Sequence, residues 1–526
     1  MIRFIFTFLI GAFITISAMA QSSHFASGIV YHDINGNGVR DKNEPGIANV
    51  AVSNGREVVL TDSKGLYKIG INDDTAIFVI KPGNYNYPLD VRNFPKFYYL
   101  HKPNGSPKLN FAGVEPTGEL PASLDFALVD GNESESFSML VISDPQTYSV
   151  EEIEYYRKSA VETLKKLNGH TFGITLGDIV GDHPDLFEGI NQATSEIGIP
   201  WFHVIGNHDE NYDAEDKRFA DESFERHYGP ATYAFNQGKV HFIVLDDVIF
   251  PNDLTNSWYT GGLTDDQFSF IENSLRFVPK DHLIVFFMHI PFYNGKDLGE
   301  NYQVEHRNRL FQLLADRPYT FSLSGHMHSQ MHYFFDATEG WQQEKPHHHY
   351  TVGTTSGDWW SGELRENGVP ETTMYDGTPQ GYNILTFNGN QYSFDYKVIG
   401  EAIDHKMRIC GPKVVPFKKH YRGDFFVNFF QGNKNDVVEY KVNDGEWKKM
   451  RYIVDYDPYM CGVRHKWDAS EELLPGVHPS NPVMCHHLWK ARVPTDVLLG
   501  ENVITVRVKD IQGNEFIETY RYRVVE

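Results

Sequence analysis

Between residues 137 and 328, apolar runs of strand length alternate with helical stretches, and five of these runs end in short motifs of Asp, Gln, Asn, His and Gly. The runs are 137–142, 172–176, 201–205, 283–288 and 319–323. Such alternation builds an α/β layered unit. Ser149 with Glu152, and Thr264 with Gln267, read as capping boxes that open helices. Ile153, Tyr156, Ala160, Leu164 and Leu167 fall on one helical face. Further helices are expected around 186–197, 214–227 and 305–315, and Asn388-Gly389 marks a closing hairpin. The five motifs are Asp144-Pro145-Gln146, Gly177-Asp178, Gly206-Asn207-His208-Asp209, His289 and Gly325-His326-Met327-His328. Sites in α/β sheets form beyond the carboxyl ends of the strands, so these distant segments are expected to share one cleft.

The donor atoms narrow the chemistry. Asp144, Gln146, Asp178 and Asn207 offer oxygen, and His289, His326 and His328 offer imidazole nitrogen. A mixed N/O set without thiolate suits Zn, Mn or Fe. Seven ligands are too many for one tetrahedral ion and fit two ions that share a carboxylate, a pair suited to phosphoryl displacement. His208, beside a candidate ligand, is free to act as acid, base or phosphate clamp.

On these motifs the stretch 137–400 resembles the calcineurin-like metallophosphoesterases. The resemblance implies a four-layer α/β/β/α sandwich. It assigns Asp144, Gln146, Asp178 and His328 to one divalent ion and Asp178, Asn207, His289 and His326 to a second, with Asp178 bridging. It gives His208 the leaving group or the phosphate, and makes Asp209 the residue that orients His208. Two departures stand out. Gln146 replaces a His, and the acid after Gly177-Asp178 comes late, as Asp182, which is left outside the expected site. The implied activity is hydrolysis of phosphomonoesters or phosphodiesters by a metal-bound hydroxide. The alternative is a non-catalytic, metal-containing binding protein of the cell envelope.

The flanks read differently. Residues 24–131 hold short strands with Gly-containing turns and no helical period, as expected of a β-sandwich. Residues 402–526 read as a second all-β unit of immunoglobulin-like type, with 455–490 unassigned. Asp33, Asn35, Asn37, Val39, Asp41 and Glu44 match a twelve-residue calcium loop, set between strands rather than helices; a plain polar turn is the alternative. The segment 347–360 reads as a Gly-rich loop packed against a neighbouring unit, with Trp359 or Trp360 as a substrate wall in the alternative, and the loop from Asp376 to Tyr382 has no evident role.

Residues 1–20 combine Arg3, an apolar run and Ala18-Met19-Ala20, the pattern of a secretory signal peptide, so a periplasmic or extracellular location is expected. The three cysteines, at 410, 461 and 485, permit one bridge, with Cys461–Cys485 as the expected pair. With 47 Lys and Arg against 70 Asp and Glu, the net charge is −23, which argues against binding nucleic-acid duplexes. No later run is apolar enough to span a membrane.

Overall fold

The computed structural model describes residues 24–131, 134–250, 259–295 and 302–526, so the signal-peptide reading lies outside the described residues. Two sheets carry the central unit. One has five strands in the order Trp201–Val204, Phe172–Leu176, Ser136–Ile142, Gly381–Asn388 and Gln391–Val398. The other has six: Tyr233–Gln237, Val240–Val244, Leu283–Phe287, Thr320–Ser324, His347–Thr351 and Met331–Phe335. The first three strands of the five-stranded sheet are mutually parallel. Four of the six-stranded sheet, from Val240–Val244 to His347–Thr351, are also parallel.

Burial explains the continuous apolar runs. Every residue of Phe172–Leu176 and of Leu283–Phe287 is buried, as in strands covered on both faces. Phe137, Met139, Val141, Phe172 and Ile174 share one core with Phe242, Ile243, Val285 and Phe287 of the second sheet. On the other face of the five-stranded sheet, Leu140 and Ile142 pack with Ile153, Tyr156, Phe187 and Ile190. The Ser149 cap forms, its side chain accepting from the Glu152 N–H, and the helix passes through a π-helical turn at Arg157–Val161. Thr264 and Gln267 close their capping box at the start of Asp265–Leu275.

Several local expectations need correcting. The helix expected over 214–227 is one 3-10 turn, Lys217–Phe219, followed by Glu222–Tyr228. The unassigned 455–490 contains the helix Pro458–Asp468, capped by Asp457 with Pro at its first position. His347–Thr351 is a buried strand: Ser322 bonds both the His347 and the His349 ring, and burial holds the pKa values of all three histidines low, so they are neutral. All three cysteines are free; Cys461 is exposed on its helix and Cys485 is buried on a strand, so the expected bridge is absent.

The flanking β units attach in different ways. The N-terminal unit pairs two four-stranded sheets, and its Val52, Phe78 and Phe97 belong to the same continuous core as the central sheets. The C-terminal unit has a four-stranded and a five-stranded sheet around a core of its own, including Phe425, Trp489, Val506 and Tyr522. No helix of the described residues is long and apolar enough to cross a membrane.

Candidate metal centre

All five motifs sit just beyond the carboxyl ends of parallel strands, three on one sheet and two on the other. Hydrogen bonds stitch the two sets together. The His326 N–H donates to the Asp144 carboxylate, the Gly325 N–H to the His289 carbonyl, and the His289 Nδ1–H to the carbonyl of Leu176 at 2.8 Å. The glycines permit this crowding: a Cβ on Gly206 would lie 2.2 Å from Asp178 Oδ1, and one on Gly325 would lie 1.9 Å from Ser143 Oγ. Asp144, Gln146, Asp178, His326 and His328 all take positive φ, between 37° and 72°. That region is costly for residues with a side chain, and such strain gathers at functional sites.

The candidate ligands form two groups of facing acceptors. In the first, His328 donates Nδ1–H to the Gly357 carbonyl, which leaves the Nε2 lone pair inward, 2.8 Å from Gln146 Oε1 and 3.7 Å from Asp144 Oδ1. The Gln146 amide nitrogen donates to the Tyr148 hydroxyl, which aims Oε1 at the site. In the second, His289 Nε2 lies 3.2 Å from Asp178 Oδ1, 3.1 Å from Asn207 Oδ1 and 3.2 Å from His326 Nδ1. The ligand atoms of Asp178, His289 and His326 lie within 4.8 Å of one another. Lone pairs converging in a buried site repel unless a cation or a proton lies between them, so these residues fit divalent ions.

Burial opposes a charge on His289, but the Asp178 carboxylate outweighs it and raises the ring to about 10. Burial pushes the Asp178 carboxyl up, yet the His289 and His208 rings hold it below the usual carboxylate range. Burial lowers His326 to about 3 and His328 to about 4, so both are neutral, the form that ligates. Asp144 is pushed up to about 7 by burial.

His208 corrects one expectation. Its Nδ1 lies 2.6 Å from Asp182 Oδ1, so Asp182, not Asp209, orients the ring. The buried Asp209 carboxylate accepts instead from the N–H groups of Ile179, Val180 and Gly206, bracing the turn that carries Asp178. Four residues along the turn, Asp182 can reach outward to the half-exposed His208, whereas Asp209 is folded inward. Burial works against a proton on His208, but Asp178 and Asp182 prevail and raise it to about 9.

The structure adds residues that motif reading missed. Asp247 accepts from the N–H of His289 and of Ile290, and so sets the turn that carries His289. It also follows an apolar strand, Val240–Val244, the same signal as the five motifs. Trp359 stacks on His328 at 4.0 Å between ring centroids, and buried Trp360 donates to the Pro145 carbonyl. The loop thus packs against the ligands and also against the C-terminal unit, where the Asp358 carboxylate accepts the Ser480 N–H at 2.7 Å, as expected.

The calcium-like loop closes on itself. Asp33 accepts from the N–H of Gly36, Asn37 and Gly38, and Glu44 from those of Ile34 and Asp41. Asn35 and Asn37 donate to Asp41, and Val39 donates its N–H to Asn37.

Fold and donors together define a metal-dependent hydrolase with its site across two sheet ends. The chain belongs to the calcineurin-like phosphoesterases: family models match the catalytic unit at 137–330, the N-terminal part at 33–115 and the C-terminal part at 349–516. Among solved structures, a dimetal phosphatase from Danio rerio aligns at 12% identity over 49% of this chain and 98% of its own, with a TM-score of 0.34. A purple acid phosphatase from yellow lupin (Lupinus luteus) seeds aligns at 10% identity over 68% of this chain and 69% of its own, with a TM-score of 0.36. No curated protein matches.

Proposed function

We propose that the protein is an exported phosphoesterase that hydrolyses phosphomonoesters or phosphodiesters with two divalent transition-metal ions, Mn, Zn or Fe. The observation that carries this reading is the pair of acceptor groups, Asp144–Gln146–His328 and Asn207–His289–His326, with the Asp178 carboxylate against the second group and its charge acting on Asp144. Such ions, when bound, neutralise phosphoryl oxygens and lower the pKa of water. Gly357 and Leu176 hold the His328 and His289 rings by Nδ1, so that Nε2 faces the ions. Asp178 is the one carboxylate placed to serve both groups and to offset the repulsion between two cations. His208, held by Asp182, donates a proton to the departing ester oxygen.

The binding-protein reading draws some weight from Gln146, and His208, held by Asp182 beside the site, argues for catalysis instead. Export is supported by the N-terminal pattern of Arg3, apolar run and small-residue site. The deciding experiment is hydrolysis of a panel of mono- and diesters by the purified protein after chelation and again after adding Mn or Zn. Full activity in protein shown to be metal-free would overturn the proposal. A calcium ion at the Asp33–Glu44 loop is a separate proposal, resting on its ligand spacing. It is tested by calcium titration of the unfolding temperature, with Asp33→Asn as the control.

A further inference from the structure

The segment that carries His326 and His328 leaves its strand at Ser324 and takes positive φ at both histidines. Backbone in that region keeps its shape only where its surroundings hold it. Some of the restraints come from the central sheets, through Asp144, His289 and Gly357. Two others come from a single turn: the Tyr375 hydroxyl donates to the Met327 carbonyl, and the Asp376 carboxylate accepts the Gln330 N–H at 2.9 Å.

That turn is fastened from the other side by the C-terminal unit. His487, fully buried on the strand Met484–Arg492, places Nε2 3.1 Å from Asp376 Oδ2, the oxygen that also accepts from Gln330. The Val483 N–H donates to the Tyr375 carbonyl at 3.0 Å, Arg408 to the Gly377 carbonyl at 2.7 Å, and Asn428 to the Asp376 carbonyl. A direct tie runs in parallel, from the Gln330 side-chain amide to the Phe430 carbonyl at 2.6 Å. A buried hydrogen bond to a carboxylate is a modest source of net stability, because desolvation offsets its attraction, but it fixes geometry. Most of these contacts run between a side chain and backbone, and they reach Met327 and Gln330, one residue before and two beyond the candidate ligand His328.

We propose that the C-terminal β unit positions the metal centre. Through the turn 375–377 it holds the strained segment 326–330, and His487 is the positioning residue, acting through Asp376 and touching neither metal nor substrate. This inference rests on the reading of Asp144, Gln146 and His328 as metal ligands. It gives the loop from Asp376 to Tyr382 a role that its sequence did not disclose.

The test uses the full chain stripped of metal and titrated with Mn(II), with free Mn(II) followed by electron paramagnetic resonance. His487→Leu is expected to weaken binding of one ion by about tenfold, the lower end of what outer partners of metal ligands contribute. His487→Gln, whose amide can still donate to Asp376, restores most of that loss. Tyr375→Phe weakens the same ion less. Val506→Ala, a cavity in the separate C-terminal core, lowers the unfolding temperature and leaves Mn(II) affinity unchanged. Wild-type affinity in cooperatively folding His487→Leu overturns the proposal, as does an equal loss in Val506→Ala. Should His487→Leu not fold, Tyr375→Phe decides, and unchanged affinity there overturns the proposal. A wild-type chain that takes up none of Mn(II), Zn(II) and Fe(II) refutes the metal-site reading itself, a result distinct from all of these.

Discussion

The two halves of the candidate centre are built on different supports. The half with Asn207, His289 and His326 leans on strand ends: the Leu176 carbonyl sets the His289 ring, and Asp247 sets its backbone. The half with Asp144, Gln146 and His328 leans on loops. Its His328 is oriented by Gly357 and covered by Trp359, and its segment is tied to the turn 375–377. The loop-built half also holds the neutral amide, Gln146, where the family pattern has an imidazole. A buried strand end has little freedom to relax, whereas a loop is only as fixed as its distant ties. Under the proposed assignment, the half of Asn207 and His289 is the one with more support from strand ends, and the half of Asp144, Gln146 and His328 depends more on its loop contacts.

Asp178→Asn should have the largest effect, because it removes the one carboxylate shared by both halves. Elemental analysis after dialysis should find both ions lost and hydrolysis at background; loss from one half alone would end the bridging assignment. His208→Ala comes next. It should keep both ions yet lower kcat by about 10²–10⁴-fold for an alkyl ester. The loss should shrink for a nitrophenyl ester, whose leaving oxygen needs no proton, and an equal loss for both would point to phosphate clamping. Gln146→Ala should weaken only the loop-built half, by about 10–100-fold in metal affinity at the bottom of the range for a ligand change. Competition titration resolves the two ions, and a loss shared equally between them would erase the distinction between the halves. Asp182→Asn should have the smallest effect, lowering kcat by about tenfold with metal content unchanged. Asp209→Asn should do the reverse and disturb metal retention, since Asp209 braces the turn of Asp178. Metal loss in Asp182→Asn would return Asp182 to the ligand shell.

The flanking units repeat the lesson at a larger scale. The N-terminal sandwich merges its core with the central sheets and adds a buried Lys102–Glu222 pair, while the C-terminal unit keeps a core of its own and meets the central unit through the small cluster of Phe430 with Met374, Tyr396 and Val398 and through buried polar contacts. An apolar junction tolerates small shifts in angle. A polar one holds atoms at hydrogen-bond distance, which suits a unit that bears on ligand geometry.

The gathering of the five motifs was legible in the sequence because each motif follows an apolar strand, and the position of parallel strands already places their carboxyl ends together. The Ser149 and Thr264 caps were legible for the same local reason, since their partners lie three residues away. Asp247 carried the same strand-end signal and went unread only because a lone acid is common after a strand. The partner of His208 was not legible. Asp209 is its neighbour in sequence, but the turn folds that carboxylate inward and brings Asp182, 26 positions away, to the ring. Nor was the helix Pro458–Asp468 found, since only Met460 of its residues is buried and so little apolar period is left to read. His487 and Asp376 lie 111 positions apart, and no spacing rule joins them. Residue types and local periodicity determined which chemistry this chain carries and which strand ends bear it. Which side chain holds which ligand was decided by tertiary packing, because hydrogen-bond geometry depends on distances in space that the order of residues does not encode.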